Sequence, residues 1–420
     1  MRLALAFLLV FAWLPGVSGA QAQSAKTLDV YFIDTEGGLA ALYVSPTHES
    51  LLIDTGNPGG RDTDRIMEAI NAAGVKQIDH LILTHYHVDH VGGLTELAKR
   101  IPIKHYIDHG PTVEPREQVA NFQKTYADLY AQAQHTVAKP GDKIPFGGVD
   151  VAVVTSAGQV LKKALPGGGK PNAACADFKP RDESHIDPEN PQSVGVVYTF
   201  GKFRTVNLGD VTWNEEQELM CPANPIGKVD VYLTSHHGIE QSGSAALVHG
   251  LAPTVAIMHN SSRKGGVVQT MQVLFSSPGL EDVWQLHWAY SAGLDWNAPG
   301  VFIANLEDPA ALAASLTNSG GRGAGPGPGT MPGAGGPPPQ PGPPQVGPPQ
   351  AGGAPPAGAG AAPAPGTQAP GRGMGGFGGF GGGRGGHTGQ AFWIKVSAQS
   401  DGTFTVTNSR NNFSKTYAPR

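Results

Sequence analysis

The chain has 420 residues, 40% hydrophobic and 15% charged, with a formal charge of −5 that becomes about −6 once Arg2 leaves with an N-terminal signal. These figures describe a soluble globular chain and exclude fibrous and integral membrane classes. The acidic balance also argues against strong duplex nucleic-acid binding.

Residues 1–22 read as a signal peptide: a basic start at Arg2, an apolar stretch at 3–14, a break at Pro15 and Gly16, and small residues at Ala20 and Ala22 before cleavage. An uncleaved anchor is the alternative, and either reading makes the body exported, periplasmic or secreted. No later apolar run is long enough to span a bilayer. An oxidising compartment permits a Cys175–Cys221 disulfide without requiring it, and two cysteines are too few for a cysteine-rich zinc site.

From Leu28 the chain alternates short apolar runs (28–33, 40–44, 51–53) with turn residues such as Glu36-Gly37-Gly38 and Asn57-Pro58-Gly59-Gly60, which predicts meandering strands. Residues 65–73 repeat apolar side chains at helical spacing, with Thr63 as the expected cap and Gly74 as the stop. The run 81–84 predicts a buried strand leading into a polar cluster and then a helix at 94–100. Residues 111–192, with one helical stretch near 118–134 and a Gly/Pro-rich patch near 165–171, read as an insertion shaping a cleft. Strands at 194–199, 205–208, 229–233 and 255–258 imply a second β/α half. Four segments result: the signal (1–22), a main domain (23–317), a Gly/Pro-rich disordered linker (318–389) and a C-terminal β-hairpin (390–420). An isolated hairpin is marginal in water, so this one is expected to pack on the main domain. The linker's own partner is unknown; envelope attachment is one reading.

The densest chemical signal is His85-Tyr86-His87-Val88-Asp89-His90, directly after a buried strand and followed by Gly92-Gly93. Imidazole nitrogen and carboxylate oxygen are the donors that zinc prefers, and an irregular loop can turn neighbours toward two separate metals. Two further strand ends supply Asp210, suited to bridging two metals, and the pair His236-His237.

Gly37-Gly38, Ile53-Asp54-Thr55-Gly56, Thr84 to Gly93, Leu208-Gly209-Asp210 and Ser235-His236-His237-Gly238, in this order, resemble the metallo-β-lactamase superfamily, most closely the hydrolase domain of the ComEC competence protein and its secreted relatives. The resemblance covers most of 28–309. It implies an α/β fold, an αββα sandwich with a two-metal site at the strand ends. By position, His85 and His87 would hold the first metal, Asp89, His90 and His237 the second, and Asp210 would bridge. Two Zn2+ ions per chain are expected, with Mn2+ or Fe2+ as alternatives. Two features depart from the pattern. The histidine expected before the strand leading to Asp210 falls near Glu189 or Asn190, with His185 the nearest imidazole and a candidate ligand. The first turn carries Glu36-Gly37-Gly38-Leu39 where the ComEC group has Gln-Gly-Asp.

The expected chemistry is hydrolysis by a metal-bound hydroxide, with Asp89 orienting the water and His236 donating to the developing oxyanion. A small-molecule substrate, a phosphodiester or phosphoester, leads; a lactone, amide or β-lactam is the enzymatic alternative. A non-catalytic exported binding protein with a degenerate site is the alternative from another class. His259 and His287, each at a strand end, are further candidates for touching substrate, and Arg263 and Lys264 for meeting a phosphate.

Overall fold

The computed structural model describes residues 26–114, 117–306 and 390–420; the expected signal and the 318–389 tract lie outside the described residues. Two mixed sheets face each other. The first runs, edge to edge, through Ser414–Tyr417, Phe404–Asn408, Ile394–Ala398, Leu28–Phe32, Ala41–Val44, Ser50–Ile53, His80–Ile82, His105–Asp108 and Gln134–Val137. Its neighbours are antiparallel as far as Ser50–Ile53 and parallel beyond it. The second begins with the parallel strands Ile303–Asn305, Asp282–His287, Val255–Met258, Val231–Leu233 and Phe203–Asn207. It continues antiparallel through Gly195–Phe200, Asp150–Ser156 and Lys143–Ile144.

Strands covered on both faces need continuous apolar runs rather than alternation, and Ser50–Ile53, His80–Ile82 and Val255–Met258 are buried at every position. Between the sheets Tyr43 stacks on Tyr198 with ring centroids 4.1 Å apart, and Phe32, Trp284 and Phe404 belong to the same core. Helices Arg61–Ala72, Leu94–Arg100 and Glu117–Tyr130 cover the outer face of the first sheet through Ile66, Leu97 and Tyr126. Helices Trp213–Met220, Ala245–Leu251 and Val268–Phe275 cover the second through Leu219, Leu247 and Met271. The expected αββα sandwich is observed. Among the described residues no helix is long and apolar enough to cross a membrane.

Two expectations need correction. The first helix begins at Arg61 after Gly60. Thr63 therefore lies inside it, buried, where its hydroxyl donates to the Gly93 carbonyl at 3.4 Å. The segment 111–192 is not simply an insertion. Gln134–Val137 extends the first sheet, and Asp150–Ser156, buried after its first residue, is a full member of the second.

The C-terminal hairpin forms, and its strand Ile394–Ala398 pairs along Leu28–Phe32 with Val30 opposite Val396. A third strand, Ser414–Tyr417, follows. Its Tyr417 hydroxyl donates to Asp282 at 2.7 Å and accepts from Trp284 Nε1 at 3.0 Å, so the chain end is fastened to the second sheet as well. Cys175 and Cys221 form a disulfide. Phe404 is buried and stacks on Tyr417, with Phe203 at 5.4 Å. Phe404→Ala is expected to destabilise the protein by about 3–5 kcal/mol, read as a lowered midpoint in chemical denaturation.

Candidate metal centre

The site lies where loops leave the ends of parallel strands in both sheets. The first sheet sends residues 84–90 from the end of His80–Ile82. The second sends Asp210 from the end of Phe203–Asn207 and residues 234–237 from the end of Val231–Leu233. His236 and His237 both adopt left-handed backbone, φ 52° and 56°, a conformation that costs a non-glycine residue energy and persists where the surroundings impose it. The first loop is held from below: the His90 carbonyl accepts from Thr55 N at 2.6 Å and the Asp89 carbonyl from Leu39 N at 3.1 Å. Gly38 makes that closure feasible, since a Cβ there would stand 2.4 Å from the Asp89 carbonyl oxygen.

Asp210 Oδ2 is the common point. It lies 3.2 Å from His90 Nε2, 3.4 Å from both His236 Nε2 and His237 Nε2, and 3.8 Å from His85 Nε2. Asp89 Oδ2 lies 3.3 Å from His237 Nε2 and 3.5 Å from His90 Nε2. His85 Nε2 and His87 Nδ1 converge at 2.9 Å. Two groups of ligand atoms result, His85 with His90 and Asp210, and Asp89 with His90 and His237.

The outward nitrogens decide which nitrogens face inward. His90 Nδ1 meets Asp54 Oδ2 at 2.7 Å, and His237 Nδ1 donates to the His259 carbonyl at 3.2 Å. Thr84 gives its hydroxyl proton to Asp54 at 2.7 Å and therefore accepts from His85 Nδ1 at 3.1 Å. His87 turns Nε2 toward Asp187 (3.2 Å) and Glu114 (3.5 Å). In the neutral form of each ring the inward nitrogen is therefore the one that carries the lone pair. The same reasoning fixes His236: Ser242 donates its hydroxyl proton to the Val211 carbonyl, so at 3.2 Å it accepts from His236 Nδ1. His236 then faces Asp210 with an acceptor, and becomes the expected donor only after taking a proton at Nε2.

Burial alone would raise the carboxyl pKa values, but the charges of Lys264 and His90 around Asp89, and of His90, His236 and His237 around Asp210, hold both well below the usual range. Burial likewise opposes the charged form of His90, yet Asp210, Asp89 and Asp54 raise it well above normal. His87 is pushed up to about 9 because Asp187 and Glu114 outweigh its burial. Burial, which Asp210 only partly offsets, lowers His236 to about 3. The two carboxylates therefore stay anionic. Asp210 Oδ1, buried and without a hydrogen-bond partner, together with the inward lone pairs, fits a cation of the zinc class.

The structure brings His85, His87, Asp89, His90, Asp210, His236 and His237 together. It does not bring His185, which is exposed and belongs to none of the ligand groups, because its loop runs over the surface before turning inward at Glu189. Glu189, where the extra histidine was expected, accepts from His109 (2.7 Å), Thr112 (2.8 Å) and the Tyr86 and Val113 amides, so its oxygens are already committed. His259 turns its ring to the Ile33 and Ala40 carbonyls, each at 3.1 Å, and serves the site through its backbone oxygen. His287 is bound to Asp34 at 2.7 Å. Asp34, Glu36 and His287 also form a candidate ligand group, but the Arg65 guanidinium, 2.9 Å from Asp34 and 3.6 Å from Glu36, already supplies the positive charge there. Sequence reasoning gave no role to Asp54, Thr84, Glu114 or Asp187. Of these Asp54 and Thr84 lie in the family-like motifs, and Glu114 and Asp187 do not.

A family model for the metallo-beta-lactamase superfamily matches residues 34–256. The chain is 23% identical over 224 residues to "Competence protein ComA" of Neisseria gonorrhoeae, covering 53% of this chain and only 26% of that protein's length. Among solved structures it resembles the metallo-beta-lactamase fold protein YhfI of Bacillus subtilis, at 14% identity over 62% of this chain and 96% of that one, with a TM-score of 0.39. It also resembles CmlA, a diiron beta-hydroxylase of Streptomyces venezuelae, at 15% identity over 55% and 45% of the two chains, with a TM-score of 0.32.

Asp187 stands behind His87 on the side away from His85. Asp187→Asn is therefore expected to weaken metal binding about tenfold to a hundredfold, measured by zinc titration against a competing chelator, with the circular dichroism spectrum unchanged.

Proposed function

The chain belongs to the metallo-beta-lactamase superfamily, and on that premise we propose that it is an exported metal-dependent hydrolase of phosphodiesters or phosphomonoesters. The observation that carries this reading is the convergence of imidazole nitrogens from both sheets on the buried oxygens of Asp210 and Asp89. His85 and His87 with Asp210 would hold one divalent metal; Asp89, His90 and His237 with Asp210 would hold the other. Such a pair lowers the pKa of bound water and stabilises the attacking and leaving oxygens of an in-line displacement, which suits phosphorus. Zinc matches the imidazole-rich donor set, with manganese or iron as alternatives.

The chain's own residues supply orientation and proton handling. Asp54, Thr84 and the His259 carbonyl fix the imidazole planes, so that little reorganisation is left for the reaction itself. Asp89 positions a water through an oxygen facing His90 and His237. His236, held neutral by burial with Nε2 facing the centre, would take the proton that the attacking water gives up and pass it to the oxygen that leaves with negative charge. Export is supported by the sequence of residues 1–22 and by the Cys175–Cys221 disulfide, a bond favoured in oxidising compartments.

Elemental analysis of the purified protein, run beside assays with a chromogenic phosphodiester and a chromogenic β-lactam, tests the reading. More than one metal per chain and phosphodiester turnover are expected. Turnover should vanish in Asp89→Ala and His87→Ala while circular dichroism shows a folded protein. Turnover of the β-lactam alone would move the chemistry to carbonyl carbon, and substoichiometric metal with neither substrate cleaved would favour a binding protein. For export, N-terminal sequencing of protein recovered outside the cytoplasm should begin at Gln23; recovery only inside the cell would overturn it.

A further inference from the structure

Lys264 sits on a turn that is fastened on several sides. Ser261 N donates to the Lys264 carbonyl and Lys264 N to Ser261 Oγ, both at 2.9 Å, and Arg263 N reaches the same hydroxyl at 3.2 Å. From the other side Tyr290 N donates to the Ser262 carbonyl at 2.9 Å and Ser291 Oγ to the Gly265 carbonyl at 3.0 Å. The lysine stem lies against the 36–38 turn. Gly37, at φ +81°, leaves it room, since a Cβ there would stand 3.2 Å from both Cβ and Cδ of Lys264. Nζ ends 2.6 Å from Asp89 Oδ2, and the side chain keeps 30% exposure. A turn braced at so many points sets this ammonium at the edge of the cluster, in contact with both solvent and site.

Asp89 Oδ2 is also the oxygen that faces His237 Nε2 at 3.3 Å and His90 Nε2 at 3.5 Å. A divalent cation held between those imidazoles would address the atom that Lys264 addresses, and two cations sharing one oxygen repel each other. We propose that Lys264 shares Asp89 with the second metal and is the group that binds the anionic oxygen of the substrate. With a metal on that carboxylate, the ammonium would lose its partner while remaining fixed by its turn at the edge of the site. There a charged phosphoryl or carboxylate oxygen restores a charge-assisted bond. The substrate-binding half rests on the hydrolase reading; the metal-sharing half does not.

Lys264→Met and Lys264→Arg test both halves. Zinc titration against a chromophoric chelator, without substrate, should show the weaker-bound equivalent tightened about tenfold in Lys264→Met and close to wild type in Lys264→Arg. Steady-state kinetics should show kcat/KM for a charged phosphodiester falling at least about tenfold in Lys264→Met, mainly through KM. A neutral phosphotriester with the same leaving group should be unaffected, and Lys264→Arg should restore most of the loss. Charge discrimination seen only with a carboxylate-bearing lactam would assign the oxygen to a carboxylate. Unchanged zinc affinity in Lys264→Met would overturn the sharing. Equal losses on charged and neutral substrates would overturn the anion-binding role and leave Lys264 as a structural ion pair. If the wild-type protein cleaves no phosphodiester and no lactam, the hydrolase reading and the substrate half fall together, and the zinc titration still decides the sharing.

Discussion

Asp210 is an anion with 2% side-chain exposure at the seam between two sheets, and four imidazole nitrogens lie within 3.8 Å of one of its oxygens. Taking a carboxylate out of water costs several kcal/mol unless opposite charge and hydrogen bonds meet it. The fold meets that cost by aiming loops from both sheets at one point. His85 and His90 come from the first sheet, His236 and His237 from the second, so the carboxylate couples the two halves of the sandwich. The left-handed backbone at His236 and His237 belongs to the same arrangement, because it turns two successive side chains inward at one strand end.

A buried imidazole has two nitrogens and can present only one of them to the centre. What the other nitrogen meets therefore matters as much as the ligands themselves. Asp54 serves two elements at once, accepting from Thr84 N and Oγ1 and from His90 Nδ1, so the strand end and the motif loop share one anchor. His259 supplies a backbone oxygen to His237 while its own ring bonds to carbonyls of the first sheet. The pairing ties a ligand carried by the second sheet to the backbone of the first. Such anchoring is the preorganisation on which electrostatic catalysis depends.

How much of this was legible in the sequence follows from how local each feature is. The motif 85–90, Asp210 and the 236–237 pair could be read because short donor-rich stretches directly follow apolar runs. The sandwich could be read because buried parallel strands demand unbroken apolar runs. The segment 134–156 was harder: Gln134–Val137 is a half-exposed edge strand, polar at three of its four positions, and it looks like loop until its neighbour is known. Lys264 and Asp89 are separated by 175 residues, and no pattern in either stretch announces their contact. His185 misled for the opposite reason. Sequence distance from Asp210 made it eligible, while its burial is decided by a turn whose course the sequence does not state.

The stretch before Gly195–Phe200 shows how one departure from a family pattern changes the balance of a site. Glu189 is spent on His109, Thr112 and two backbone amides, which holds the loop 109–113 against Tyr86 but offers nothing to the centre. Asp187, two residues earlier, reaches the outer nitrogen of His87 instead. The side built on His85 and His87 therefore has two imidazoles and a shared carboxylate, backed by carboxylates that act on His87 from behind. The opposite side has Asp89, His90, His237 and the same shared carboxylate, opposed by Lys264. In the two-metal arrangement proposed above, the first side would be short of a ligand but supported from outside, and the second would have its full set but compete with a neighbouring cation. On that proposal the carboxylates behind His87 and the ammonium beside Asp89 would both narrow the asymmetry that a missing histidine alone would give.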